Sequence, residues 1–153
     1  MHPLSMMTAE ELETCVAVLR DAGKIDDNST FHGCCIYEPP KDEVAGWQQG
    51  DTTDRRLDLV VRHSGEVFEA RVSVTRREVD RWEAVPGVVP RVGFVELFKV
   101  MEACRNDPTF QEALTQRGIS ESSTVQIDPW PTGDYGFDFE NGRRVQRCIA
   151  FHR

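Results

Sequence analysis

Two neighbouring apolar runs, separated by Ser64-Gly65, constrain the fold of this chain more than any other feature. Side chains of a strand alternate between its two faces, so each run is a predicted strand with one apolar face. Ser64-Gly65 is typical of a tight hairpin turn. The residues on the predicted inner face are Leu57, Leu59, Val61, Phe68, Ala70, Val72 and Val74. The chain is therefore expected to form an antiparallel sheet that needs a cover on one side.

The opposite face of the same sheet is predicted to meet water. Its polar positions are Arg55, Arg62, Glu69, Arg71 and Thr75. A helix is the expected cover for the apolar face, because one-sided antiparallel sheets pack their apolar side on another element.

A helix over residues 9–22 precedes the sheet. Thr8 and Glu11 form a capping-box pattern, and the helical apolar spacing that follows ends at Gly23. Further predicted elements are a strand from Phe31 to Tyr37 ended by Pro39-Pro40, a short amphipathic piece through Val44 and Trp47, and a strand from Val79 to Val85. A helix followed by antiparallel strands is an α+β pattern.

The same order of elements begins again after residue 92. Apolar residues from Phe94 to Cys104 mark a second helix, and Asp107-Pro108 opens a third that ends at Gly118. Predicted strands follow near 125–130 and through Val145, Arg147, Ile149 and Phe151. We therefore expect two small units, 1–88 and 92–153. The second is incomplete, because two strands alone are marginal.

Composition narrows the classes of function. Acidic residues outnumber basic ones by 26 to 18 and give a net charge of −8, which disfavours nucleic acid as a partner. No segment reaches the roughly 18 apolar residues of a membrane span, and the first residues lack the features of a secretory signal. We expect a cytoplasmic protein without a membrane partner.

Five cysteines form an odd set without a C-x-x-C spacing, so reduced thiols are expected. Cys34-Cys35 with His32 suggests a metal or redox site. Adjacent strand residues point to opposite faces, however, and ordinary packing is the favoured interpretation.

An acidic loop near the end of the chain offers a second candidate metal site. Asp134, Asp138 and Glu140 could hold calcium, but Asn141-Gly142 beside them favours a solvated hairpin tip. Serine-hydrolase, phosphate-loop and dinucleotide motifs are absent from the sequence.

The three tryptophans are assigned by context. Trp82 and Trp130 are predicted core or interface residues, and Trp47 is a candidate contact with a missing neighbour.

Five segments together resemble the amino-terminal part of copper-containing primary-amine oxidases. They are His2-Pro3-Leu4 before Thr8-Ala9-Glu10-Glu11; Glu38-Pro39-Pro40-Lys41; Arg81-Trp82-Glu83-Ala84-Val85-Pro86-Gly87-Val88-Val89-Pro90; Glu102 to Pro108 with Ala113-Leu114 and Arg117-Gly118-Ile119; and Asp128-Pro129-Trp130 with Gly133-Asp134-Tyr135-Gly136. The resemblance covers roughly residues 2–153 and implies that 1–88 is like the family's second domain and 92–153 like its third. It also implies two cystatin-like units, each a helix on an antiparallel sheet.

The resemblance implies chemistry that this chain does not carry. The family deaminates primary amines to aldehydes with release of ammonia and hydrogen peroxide, using copper and a topaquinone made from its own tyrosine in a carboxy-terminal domain. Neither Tyr37 nor Tyr135 lies in the Asn-Tyr-Asp/Glu motif, and the four histidines include no His-x-His. We therefore assign no catalytic, cofactor-binding or metal-binding residue and expect the chain alone to be inactive.

The leading hypothesis is a non-catalytic module that helps frame the parent enzyme's amine channel, with the missing catalytic domain as its partner. The alternative is a free-standing cystatin-like interaction module, and a thiol-dependent metal or redox protein is the least favoured. Because the chain stops on a strand, we expect a truncated gene or shortened chain, or a sheet completed by another copy. A homodimer through Val145, Ile149 and Phe151 would cover that edge. Its expected polar contacts join Arg143, Arg144 and Arg147 to the loop around Asp138 and Glu140.

Overall fold

The predicted hairpin lies at the centre of a four-stranded antiparallel sheet in the computed structural model, which describes residues 1–133, 135–141 and 143–152. The strands lie in the order β1 (Thr30–Ile36), β2 (Arg56–His63), β3 (Glu66–Ser73) and β4 (Glu78–Ala84). The chain divides into two units, Met1–Pro90 and Arg91–Arg153, and this sheet belongs to unit 1.

The hairpin turn confirms the prediction from Ser64-Gly65. Ser64 has a φ of 50° and Gly65 a φ of 88°, and a two-residue turn with both central φ angles positive matches the twist of the flanking strands. Leu59 then lies opposite Ala70, which places the alternating apolar side chains of both strands on one face.

Helix α1 (Ala9–Asp21) covers that face, as predicted. The Thr8 hydroxyl accepts a hydrogen bond from Glu11 N at 3.2 Å, and a Glu11 carboxylate oxygen accepts from Thr8 N at 3.0 Å, which completes the capping box. Buried residues of the shared core are Cys15, Val18, Leu19, Ile25, Leu57, Leu59, Val61, Ala70 and Val72. Each large member contributes roughly 1.5–3 kcal/mol by leaving water.

Arg55 is the exception to the predicted polar face. Arg62, Glu69 and Thr75 are exposed, but the Arg55 side chain is only 7% exposed. The expectation of a solvated Arg55 is wrong, because the residue precedes β2 and its guanidinium turns under the amino end of α1.

Trp82 confirms its predicted packing role. Its ring stacks on Phe68 with centroids 4.6 Å apart and an interplanar angle of 20°, and it packs against the core of unit 1. A short helix, α2 (Lys41–Gly46), follows Pro39-Pro40, as the amphipathic pattern predicted.

Unit 2 contains α3 (Phe94–Asn106), α4 (Pro108–Thr115) and a two-stranded antiparallel sheet of β5 (Val125–Pro131) and β6 (Gln146–His152). Short 3-10 turns lie at Ser122–Thr124 and Asp138–Glu140. The core is small, with Leu114, Val125 and Ile127 buried. The α+β class predicted from the sequence is therefore confirmed.

The start of α4 also follows its sequence signal. An Asp107 carboxylate oxygen accepts a hydrogen bond from Phe110 N at 2.9 Å, and Pro108 occupies the first turn. Proline has no backbone N–H. At this position no hydrogen bond is lost, because the N–H groups of the first turn have no carbonyl acceptor within the helix.

The apolar stripe of α3 is only partly packed. Met101 and Cys104 contact the core of unit 2, whereas Phe94 is 74% exposed and Phe98 56% exposed. Trp130 is 60% exposed, so a core position for that tryptophan is wrong, and an interface role stays a prediction.

Among the described residues, no helix has both the length and the apolar character needed to cross a bilayer.

Candidate functional site

Arg55 and Glu11 hold the amino-terminal segment of the chain against the rest of unit 1. We call this arrangement the clasp. Arg55 Nε donates to Glu11 Oε1 at 2.8 Å and its NH2 group donates to Oε2 at 3.0 Å. The same guanidinium donates to Pro3 O at 2.7 Å and to Met6 O at 3.4 Å. One side chain thereby joins the segment before α1, the first turn of α1 and the start of β2.

The clasp is largely shielded from water, since the Glu11 side chain is 13% exposed. Hydrogen bonding from Arg55 lowers the pKa of Glu11, against the opposing effect of burial, with further help from Thr8 N. The sequence predicted Glu11 as a capping residue but not its partner, because no local pattern links residues this far apart in the chain.

A cavity of about 500 Å³ lies beside the clasp. The residues that line it include Pro3, Pro39, Pro40 and Trp47. The His2 ring meets Trp47 edge-on, with centroids 4.9 Å apart. Two motifs far apart in sequence, His-Pro-Leu and Glu-Pro-Pro-Lys, therefore meet around one cavity.

Tyr37 lines the same cavity, and its ring lies near two guanidinium groups. The Arg71 guanidinium carbon lies 3.8 Å from the Tyr37 ring centroid and that of Arg56 lies 5.6 Å away, within the range of cation–π attraction. Asp58 accepts two hydrogen bonds from Arg71, at 2.7 and 3.0 Å. The Tyr37 ring is thus packed close to cationic groups.

Asp54 in the cavity lining, and Asp80 nearby, are each paired with arginines. Burial raises the pKa of Asp54, but hydrogen bonds from Ser73 and Arg56 outweigh it, so the net pKa lies below its usual value. Asp80 lies 3.3 Å from Arg56 and also accepts from Arg76. The cavity therefore offers aromatic, proline and ion-paired surfaces, together with the carboxylates of Glu43 and Asp51.

Cys34 and Cys35, the candidate thiol site, point to opposite faces of β1, as the alternation of strand side chains predicts. Cys34 packs against the core with its sulfur 3.4 Å from the Met7 sulfur, while Cys35 is exposed. Burial raises the pKa of the Cys34 thiol to about 11. His32 is buried, with Nε2 2.8 Å from the Thr30 hydroxyl. Ordinary packing is the interpretation that these contacts support.

The acidic loop is not a plain solvated tip. Glu140 is 8% exposed and accepts hydrogen bonds from Tyr135 N at 2.9 Å and Phe137 N at 3.0 Å. The expectation of a solvated Glu140 is wrong, because its carboxylate caps the backbone of its own loop. Asp134 and Gly142, also named in that expectation, lie outside the described residues.

Copper and a tyrosine-derived quinone do not fit the described side chains. The histidines lie on separate segments, with His2 before α1, His63 ending β2 and His152 on β6. Over residues 1–133, 135–141 and 143–152, no group of three His, Cys, Asp or Glu side chains is placed to hold a metal ion. Tyr135 is exposed on the acidic loop, and the Tyr37 ring lies near Arg56 and Arg71.

Two family models match the chain in succession. Residues 8–82 match the "AGAO-like N2 domain" and residues 95–153 match "Copper amine oxidase, N3 domain". Together they account for both units.

Curated relatives match along the whole chain. A primary amine oxidase of Arthrobacter sp. (strain P1) is 32% identical over 99% of this chain and 23% of its own length. A histamine oxidase of Arthrobacter globiformis is 30% identical over 99% of this chain and 22% of its own length. A primary amine oxidase of Klebsiella aerogenes is 27% identical over 92% of this chain and 19% of its own length.

The chain thus spans less than a quarter of the length of these relatives. The resemblance inferred from five short motifs is confirmed by matches that cover almost every residue. The chain belongs to the copper amine oxidase family and corresponds to its amino-terminal N2 and N3 domains.

Proposed function

We propose that this chain is the non-catalytic amino-terminal region of a copper/topaquinone primary-amine oxidase and helps frame the entrance to its amine channel. The observation that carries the proposal is the succession of N2 and N3 matches over residues 8–82 and 95–153. We assign residues 1–88 and 92–153 as the two domains of that region, each with a cystatin-like arrangement.

The contacts of the motif residues support a framework role. Pro3, Thr8 and Glu11 take part in the clasp or in the cap of α1, and Asp107 caps α4. Trp82 stacks on Phe68. These motif residues thus hold elements of each unit together.

The exposed aromatic pair on α3 is our candidate contact for the parent's catalytic domain. Phe94 and Phe98 meet edge to face, with centroids 5.1 Å apart, and Val95 beside them is also exposed. Clustered exposed aromatic residues mark interaction surfaces more often than scattered ones. In the parent, copper and topaquinone would be supplied by that catalytic domain.

The net charge and the free thiols support two further parts of the proposal, the attraction of cationic amines and a cytoplasmic location. The net charge of −8 favours the approach of cationic amines through long-range attraction. Five free thiols suit a reducing, cytoplasmic compartment.

Activity and complementation test the proposal together. We expect the purified chain with added copper to release no hydrogen peroxide from a primary amine and to develop no quinone absorbance. We expect it to bind the separately expressed catalytic domain of the parent reading frame, and the Phe94→Ser, Phe98→Ser double variant to bind at least tenfold more weakly.

Tyr135→Ser removes an equally exposed aromatic side chain from the acidic loop and is the control, with unchanged binding expected. Peroxide release by the chain alone would contradict the non-catalytic role. Absence of any binding to the catalytic domain would favour a free-standing module.

The edge of β6 supports the alternative of a self-associating interaction module. Within the described part of the chain β6 pairs only with β5, and Ile149 and Phe151 are exposed. A cavity of about 380 Å³ lies between α4 and the end of β6. An unpaired strand edge is a template for another chain, and a two-fold dimer would cover it.

Two of the side chains expected to make polar contacts in such a dimer, Arg144 and Glu140, already have partners within one copy. Arg144 donates to Glu96 at 2.6 and 2.7 Å, and Glu140 caps its own loop. A dimer would therefore rest on the backbone edge, on apolar contacts and on the other expected polar residues, Arg143, Arg147 and Asp138. Light scattering over a range of concentrations tests it: a doubled mass that Phe151→Lys abolishes supports the dimer, and a constant monomer mass refutes it.

A further inference from the structure

Cys104 and Cys148 lie on elements of unit 2 that pack against each other. Cys104 belongs to α3 and Cys148 to β6, and both contact the buried cluster of Leu114, Val125 and Ile127. Cα atoms of α3 come within 8 Å of Cα atoms of β6. A disulfide spans a Cα separation of about 5.5–6 Å, so a bridge between these elements requires two cysteines that face each other where the elements pack.

The two cysteines are neighbours in this packing. Both contact the same small cluster, the Cys104 thiol influences the titration of Cys148, and both residues are half-buried. The other cysteines are placed differently. Cys15 is fully buried, Cys34 donates to the Met7 sulfur, and Cys35 is exposed on the opposite face from Cys34.

We propose that Cys104 and Cys148 form a dithiol site that a hydroperoxide converts to a disulfide joining α3 to β6. One thiolate attacks the peroxide O–O bond to give a sulfenic acid and hydroxide. The second thiolate attacks the sulfenic sulfur, forms the S–S bond and displaces hydroxide. Two thiols and one hydrogen peroxide yield one disulfide and two waters, so the thiols lose two electrons and the peroxide gains them.

Burial and the neighbouring Cys104 thiol raise the pKa of the Cys148 thiol to about 11. The thiolate is the reactive form, so Cys148 is expected to react only slowly with peroxide at neutral pH. The site is thus expected to respond to sustained oxidant.

The disulfide would close a loop that contains α4, β5 and the acidic loop. Cross-linking such a loop restricts the unfolded chain, and unit 2 has only a small core. We expect oxidation to raise the melting temperature of unit 2 by roughly 10 °C. It would also hold the helix that carries Phe94 and Phe98 against the sheet.

Peptide mapping tests the inference on the intact chain. The folded protein is treated with hydrogen peroxide, remaining thiols are alkylated, and a digest is searched for a linked pair of peptides lighter by two hydrogen atoms than their sum. We expect the Cys104–Cys148 pair, unchanged in Cys35→Ala and absent in Cys104→Ala and Cys148→Ala. Linkage that appears only after denaturation, or independent oxidation of the two thiols, would overturn the proposal.

A second probe needs no substitution and works even if the alanine variants fail to fold. Phenylarsine oxide bridges two neighbouring thiols and binds single thiols weakly. We expect the reduced, folded chain to bind one equivalent and thereby to protect Cys104 and Cys148 from alkylation while Cys35 still reacts. Failure to protect that pair would contradict the proposed contact. The result is independent of the proposed function, because no amine oxidase activity is measured.

Discussion

Replacing Arg55 with methionine tests whether the clasp stabilises unit 1. Methionine keeps most of the aliphatic volume but leaves the carboxylate of Glu11 without its charged partner, in a position where only 13% of the side chain meets water. Removing one member of a buried pair costs about 3–5 kcal/mol. The residual exposure of Glu11 favours the lower end of that range, and the unpaired Pro3 carbonyl adds about 1 kcal/mol.

We therefore expect Arg55→Met to lower the free energy of unfolding of unit 1 by about 3–4 kcal/mol at pH 7. Urea unfolding followed by far-ultraviolet circular dichroism gives the magnitude, and hydrogen exchange assigns it to unit 1. Glu11→Gln in the same background keeps the side chain that caps Thr8 N, removes the orphaned charge, and should restore part of the loss.

The pH dependence has a definite sign. The folded-state pKa of Glu11 lies below its ordinary value of 4.5, so the clasp contributes stability above that pH and loses it as pH falls through the lowered pKa. The gap between wild type and Arg55→Met should be widest near neutral pH and narrow in acid. Arg62→Met, an exposed arginine of β2, is the matched control and should change stability by less than about 0.5 kcal/mol. A loss of under about 1 kcal/mol, or one that is the same in acid, would refute the reasoning.

Three further substitutions test local features. Asp107→Ala removes the cap of α4 and should cost unit 2 about 1 kcal/mol in urea unfolding; an unchanged midpoint would contradict the cap. Gly65→Ala places a β-carbon on a residue with a φ of 88° and should lower the free energy of unfolding of unit 1 by roughly 1 kcal/mol. Gly46→Ala is its control: a β-carbon at residue 46 would have no other atom within 4 Å, so stability should be almost unchanged. Ile127→Ala leaves a cavity in a core of three buried residues and should lower the free energy of unfolding of unit 2 by about 3 kcal/mol. Hydrogen-exchange protection should then be lost in unit 2 and kept in unit 1. Simultaneous loss in both would show that the units unfold together.

Local signals were sufficient to predict most elements. The hairpin at Ser64-Gly65, the capping box at Thr8 and the Asp107-Pro108 helix start each depend on residues within a few positions of one another. The apolar face of the first sheet followed from alternation, because one buried face fixes the register of a strand pair.

The clasp could not be predicted in this way. The alternation of polar and apolar residues predicts that the Arg55 side chain faces water. Its partner, Glu11, lies on a helix that is distant from it in the sequence. Glu140 is similar, since its burial depends on how the loop folds back on its carboxylate. Periodicity also overstated the packing of α3, because it identifies an apolar stripe without showing whether anything within the unit covers it.

The stack of Phe68 on Trp82 gives unit 1 an optical signature of its own. Two parallel rings held 4.6 Å apart in a fixed orientation couple their transitions and should produce a near-ultraviolet circular dichroism band that vanishes when β3 and β4 separate. Trp130, the tryptophan of unit 2, is open to solvent, so its fluorescence should be quenched readily by acrylamide while that of Trp82 is protected. The protein therefore carries native chromophores that report on each unit without an added label.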